Sequence, residues 1–199
     1  MKLEMKRGNK KIGKDTLIFN MCPASRCPSR LKGLCQLENP KHCYALRSEL
    51  QYPNTWKYRS RQERAWNNLS ATQIAMQLYH KIENARHKTK YVMFNESGDF
   101  NNISDYFKLE DKAVEFPKIT FYGYTARKDL MENIAKHYEI ISDTPPDNLI
   151  INGSGFMLSN EFRAVDELSG EHAVCKGDCR KCNLCKKNRG IIIEEKVRK

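Results

Sequence analysis

Residues 91–95 (YVMFN), 119–124 (ITFYGY) and 149–152 (LIIN) decide the fold. Each is a short apolar run, continuous rather than alternating, as in strands that are covered on both faces. Helical patterns separate them, at about 104–115 and about 126–138; in the second, Leu130, Met131, Ile134 and Tyr138 share one face. The three runs start 28 and 30 residues apart, close to the ~30 residues of a βαβ unit.

Upstream, TLIFNM within 14–21 reads as a further strand that ends at Cys22. A helical region covers about 44–88, with Pro53 at a first turn and Ser70 followed by Gln73 as a capping box. The face of that last helix is Ile74, Ala75, Leu78, Ile82 and Ala85. Downstream, the pattern predicts a weaker helix near 160–168, a short strand at 140–142 and a last strand at 190–197, at a sheet edge.

The predicted class is α/β with a mainly parallel sheet. The strands are too few for a closed eight-fold barrel, leaving a partial, open β/α barrel or a small doubly wound sheet. The expected organisation is one domain over 1–199. It comprises a Cys-rich loop (22–44), a helical insertion (45–88), β/α repeats (90–168) and a C-terminal Cys cluster (170–199).

Both architectures bind ligands at the C-terminal ends of their strands. Those positions hold Glu96, Ser97, Gly98 and Asp99, then Tyr124 to Arg127, then Asn152 to Gly155. Glu96, Ser97 and Asp99 are candidates to anchor an amine or ribose hydroxyl of a small molecule, with Tyr124, Arg127 and Asn152 on neighbouring strands. Turn chemistry alone accounts for the glycines.

The eight cysteines form two sets of four: Cys22, Cys27, Cys35 and Cys43, and Cys175, Cys179, Cys182 and Cys185. No apolar leader follows the charged N-terminus, so a reducing cytoplasm is expected and metal is favoured over disulfides. Four thiolates hold either Zn(II) or an iron–sulfur cluster. The tight C-x3-C-x2-C-x2-C spacing of the second set matches runs that bind a [4Fe–4S] cluster, and Lys176-Gly177-Asp178 is a turn able to donate backbone N–H groups to sulfur. The first set has wider spacing, and Zn is an alternative there. His42 beside Cys43 is a ligand or an outer hydrogen-bond donor. One centre or two both satisfy the spacing.

Hydrophobic residues make up 40 % of the 199 and charged residues 30 %, with mean hydropathy −0.72 and net charge +11. This excludes a wholly disordered chain, and no run reaches the ~20 apolar residues of a membrane span. The positive excess favours polyanionic partners such as nucleic acid. Trp56, Tyr58 and Trp66 lie among Lys57, Arg59, Arg61 and Arg64, a pattern that serves either base stacking or core packing. No phosphate-binding glycine loop, dinucleotide fingerprint or HExxH motif occurs.

KIGKDTLIFNMCPAS, the loop ending Cys43-Tyr44-Ala45, Ser97-Gly98-Asp99-Phe100, Phe121-Tyr122-Gly123-Tyr124-Thr125 and the cysteine-rich tail resemble the phage gene product 88 family. That resemblance implies a phage protein working in the host cytoplasm. The layout also resembles the radical S-adenosylmethionine superfamily, with cysteines after the first strand and Glu96-Ser97-Gly98 after the second. It implies a partial barrel, one or two iron–sulfur clusters and S-adenosylmethionine as a candidate ligand. The spacing C-x3-C-x2-C, absent after the first strand, occurs at Cys175, Cys179 and Cys182 instead. Two functions follow as expectations: an iron–sulfur protein that is redox-active or binds a small molecule at the strand ends, or a metal-stapled, non-catalytic nucleic-acid-binding protein.

Overall fold

The computed structural model describes residues 1–35 and 43–197. In chain order the elements are β1 (Lys6–Arg7), β2 (Thr16–Phe19), α1 (Pro28–Leu31), α2 (Tyr44–Gln51), α3 (Pro53–Asn68), α4 (Ala71–Glu83), β3 (Tyr91–Phe94), α5 (Ile103–Glu115), β4 (Thr120–Thr125), α6 (Lys128–Ile141), β5 (Leu149–Ser154), β6 (Asn160–Val165), β7 (Ala173–Val174) and β8 (Ile192–Lys196). Among the described residues the strands form one sheet in the order β1-β2-β3-β4-β5-β6-β8-β7. Only β1 pairs antiparallel.

From β2 to β6 the spatial order follows the chain without reversal. A doubly wound sheet reverses its strand order, so that alternative is set aside. Right-handed crossovers along an unreversed sheet carry successive helices to one face. Side-chain alternation then splits each apolar run. Leu17, Phe19, Val92, Phe94, Phe121, Leu149 and Ile151 pack with Trp66 of α3, Ile74 and Leu78 of α4, Leu109 of α5, and Met131 and Ile134 of α6. The intervening Ile18, Met93, Tyr122 and Ile150 form a second cluster with Ile12 on the opposite face.

Local sequence caps two helix starts, that of α4 as expected. Ser70 and Gln73 form the capping box of α4, and Asn102 with Asp105 forms one on α5. Asp105 also accepts the Trp66 indole N–H at 2.7 Å, joining α3 to the start of α5.

Three expectations are corrected. The helix predicted near 160–168 is the strand β6, paired to β5 and β8. Asn160 lies level with Asn152, near the C-terminal end of β5. The short loop 155–159 therefore suffices, where a fully aligned parallel neighbour needs a crossover of about a dozen residues. Gly153 makes the turn fit: a Cβ there would stand 2.1 Å from the Phe156 carbonyl oxygen. The strand expected at 140–142 is instead the last turn of α6, stopped by Ser142 at φ +53°; Ile140 and Ile141 face solvent. The strand expected at a sheet edge within 190–197 is β8, which has a neighbour on each side, and the two-residue β7 forms the edge. Ile193 of β8 is fully buried, and Glu194 accepts hydrogen bonds from the backbone and hydroxyl of Ser169. No described helix is long and apolar enough to cross a membrane.

Candidate functional site

The chain leaves β2 through Asn20 into the first cysteine loop. Asn20 Oδ1 accepts from the Ser97 backbone N–H at 2.7 Å, tying the loop after β2 to the loop after β3. Ser97 in turn donates its hydroxyl to the Cys22 carbonyl at 3.3 Å. Gly98, at φ +81°, lies so close that a Cβ would stand 2.5 Å from Cys22 Sγ. Cys22 and the Ser97–Asp99 turn thus share one site. Cys27 lies close enough to Cys22, Cys35 and Asp99 to feel their charges. Burial pushes the Cys22 thiol up, and pushes Cys27 up to about 11. Cys43 packs against the cluster of Ala24, Ala45 and Leu46, and its sulfur caps α2 by accepting from the Leu46 N–H.

Glu49 of α2 braces this loop. Its carboxylate accepts from the Ala24 N–H at 2.7 Å, the Ser25 N–H at 3.2 Å and Arg59 of α3 at 2.9 Å. Both side chains of the Glu49–Arg59 pair are buried.

Asp99 is buried, and burial raises its carboxyl above the ordinary 3.8, against hydrogen bonds that favour the charged form. It accepts from Thr125 Oγ1 at 2.7 Å, the Ala126 N–H at 2.8 Å and the Phe100 N–H at 2.8 Å. Arg127, also buried, donates to the carbonyls of Phe100 and Asn101 and forms a two-pronged pair with Asp129. Both residues spend their polar atoms fastening the loops after β3 and β4.

The second cysteine set crosses the sheet face that the helices leave open. Cys175, Cys179, Cys182 and Cys185 all line one cleft of about 20 Å³, with Tyr122, Tyr124 and Lys186. Burial raises the Cys185 thiol to about 12, opposed by a hydrogen bond from Tyr124. The Gly177 N–H interacts with the Cys175 sulfur and pulls it the other way from burial. Lys186 donates to the Cys179 carbonyl at 2.8 Å. Its ammonium lies 4.2 Å from the Tyr91 ring centre and 5.7 Å from that of Tyr122, a cation held over aromatic faces. Among the described residues, no group of three or more His, Cys, Asp or Glu is arranged to hold a metal ion. The four thiols thus line one cleft without being gathered at a coordination centre.

Two buried asparagines hold this segment to the sheet. Asn152 Nδ2 donates to the carbonyls of Gly123 and Cys185 at 2.9 and 3.0 Å. Its Oδ1 accepts from Asn160, which also donates to the Lys187 carbonyl at 2.8 Å. Replacing Asn160 by leucine is expected to cost about 1–3 kcal/mol for the buried acceptors left unpaired. It should also make Cys185 react faster with a thiol reagent. Urea unfolding and timed alkylation followed by peptide mapping check both; an unchanged alkylation rate at Cys185 would show that the asparagines do not hold the segment.

With this geometry in place, a comparison with family models gives a match to Gene product 88 over residues 3–178. This chain belongs to the gene product 88 family. No curated protein and no solved structure matches it. The gene product 88 match includes Cys22, Cys27, Cys35, Cys43 and Cys175 and ends before Cys179, Cys182 and Cys185.

The six non-cysteine candidates divide within this gene product 88 fold. Glu96, Ser97, Asp99 and Arg127 lie in the loops after β3 and β4, with Glu96 half-buried and the other three buried. Tyr124 and Asn152 instead serve the second cysteine segment. His42 lies outside the described residues. The aromatic and basic stretch of α3 also divides: Trp66 and Arg59 are buried, whereas Trp56, Lys57, Arg61 and Arg64 are exposed. Sequence reasoning missed Glu49, Asn20, Asn160, Lys186 and Tyr122. Asn20 carried a signal, as a polar residue ending an apolar strand; Asn160 was hidden by its assignment to a helix.

Proposed function

We propose that this gene product 88 protein binds iron–sulfur, with Cys175, Cys179, Cys182 and Cys185 as ligands of a [4Fe–4S] cluster. The observation that carries the reading is that all four thiols line a single cleft against Tyr122 and Tyr124. The donor set and the Gly177 N–H suit a cluster, while the cleft is water-sized. Loading therefore has to draw segment 175–187 into a wider cage, in keeping with sites that form together with their metal. A bound cluster would supply one-electron transfer. Asn152 and Asn160 would hold the cage to β5 and β6, and Tyr122 and Tyr124 would form its floor and limit water. The unreversed strands with helices on one face support a partial, open β/α barrel whose inner face carries this segment.

A second reading rests on the first cysteine loop. Cys27 interacts electrostatically with Cys22 and with Cys35, while Cys43 caps α2. Cys22 and Cys27 beside Asp99, with the Cys43 sulfur bonded to the Leu46 N–H, favour a cluster with an open iron and a small molecule at the strand ends. S-adenosylmethionine is the ligand to try there.

Anaerobic purification with iron, sulfide and zinc analysis tests both readings. Each cluster predicts about four irons and four sulfides per chain, and Cys182→Ala should remove one set. Zinc without iron would establish the metal-stapled alternative and end the iron–sulfur proposal. A change in the reduced electron paramagnetic resonance spectrum on adding S-adenosylmethionine, abolished by Cys27→Ala, would assign the open iron to the first loop.

A further inference from the structure

A surface groove of about 400 Å³ lies away from the second cysteine set. It is lined by Arg26, Trp56, Lys57, Ser60, Arg61 and Arg64. Lys57, Ser60, Arg61 and Arg64 recur at three- and four-residue steps on α3, so they share one helix face. From Lys57 to Arg64 is about 10 Å along the axis at 1.5 Å per residue.

The charges in this groove are partly compensated. Arg26 pairs with Glu63, and Arg61 with Glu4 at 2.6 Å. Among the described residues no carboxylate forms an ion pair with Lys57 or Arg64. The groove therefore carries a net positive charge within a chain of net charge +11. Trp56 is 40 % exposed at this site, unlike the buried Trp66. Its indole N–H donates to Ser25 Oγ at 3.1 Å, and the Arg26 guanidinium lies 5.2 Å from its ring centre. These contacts hold the ring in place at the groove wall.

We propose that this groove binds single-stranded nucleic acid, with Lys57 and Arg64 on backbone phosphates and Trp56 stacked against a base. Charge complementarity identifies a polyanion. The exposed, fixed indole beside the cations selects a single strand, whose bases are free to stack, over a duplex, whose bases are already stacked. This inference is independent of metal binding, because none of the lining residues is a proposed ligand.

The test is fluorescence anisotropy with a labelled oligothymidylate of about 20 nucleotides and with a duplex of the same length. Lys57→Gln with Arg64→Gln should weaken single-strand binding at least tenfold. It should also reduce the magnitude of the log–log salt slope by about 1.4, at about 0.7 per lost phosphate contact. Trp56→Ala should weaken the single strand about tenfold and leave the duplex unchanged, and Trp56→Phe should restore most of the loss. The exposed pair Lys118→Gln with Lys136→Gln, on α5–β4 connection and α6, should have little effect. Urea midpoints of the lysine and arginine variants should match the parent, since the substituted cations are exposed. Equal losses from the control pair would reduce the binding to overall charge and overturn the site. Duplex binding as tight as single-strand binding, indifferent to Trp56→Ala, would overturn the single-strand assignment.

Discussion

Replacing Glu49 by alanine is expected to lower the unfolding free energy by about 3–5 kcal/mol, as for other buried ion pairs stripped of one partner. The side chains of Glu49 and Arg59 are 3 % and 5 % exposed. Removing the carboxylate leaves the guanidinium buried with the Ala45 carbonyl as a remaining acceptor. It also strands the backbone N–H groups of Ala24 and Ser25, between Cys22 and Cys27. The effect therefore reaches beyond α2 and α3 to the first cysteine loop. Glu49→Leu with Arg59→Met should cost less than the sum of the two single changes, because neither charge is then left without its partner. Urea unfolding of the four proteins checks this. A loss below about 1 kcal/mol for Glu49→Ala would mean that water replaces the carboxylate and that the pair behaves as a surface one.

Gly98→Ala is the second large effect. The residue sits at φ +81°, and a Cβ would stand 2.7 Å from both the backbone nitrogen and the carbonyl oxygen of Cys22. Left-handed backbone costs an L-residue about 1–2 kcal/mol, and overpacking adds about 1–3. The sum is about 2–5 kcal/mol. Gly170→Ala is the internal control: its φ is +80°, with nothing within 4 Å of a Cβ, so only the backbone cost applies. The difference between the two variants measures the contact with Cys22. Thiol titration should find Cys22, buried in the parent, reacting faster in Gly98→Ala and unchanged in Gly170→Ala. Equal stability losses with an unreactive Cys22 would mean that the added Cβ is accommodated without displacing Cys22.

These two residues mark what local pattern conveys. Gly98 was legible as a turn glycine after an apolar strand, but its contact with Cys22 depends on the register of β2 against β3. Glu49 carried no signal, because an acidic residue on a polar helix reads as solvated surface. It is buried because the cysteine loop folds over α2 and presents two N–H groups to it. Arg59 looked the same as Arg61 and Arg64 in sequence; one face of α3 carries Arg59, Gln62 and Trp66 to the interior, and another carries Arg61 and Arg64 to the groove.

By itself the sequence determined the α/β class, the parallel repeat from 91 to 152, the capped start of α4 and the division of the cysteines into two sets. Those features are periodic or contiguous, and hydrophobic period and capping chemistry act over a few residues. Tertiary structure alone decided that 160–165 is a strand, because β5 and β8 supply its pairing from either side. It also decided that the second cysteine set crosses the sheet face opposite the helices, where Asn152 and Asn160 bind its carbonyls. Which of Trp56 and Trp66 is buried was settled in the same way, by packing against Phe19 and a hydrogen bond to Asp105. Partners distant in the chain make all of these choices, and a residue's own neighbours in sequence do not encode who arrives.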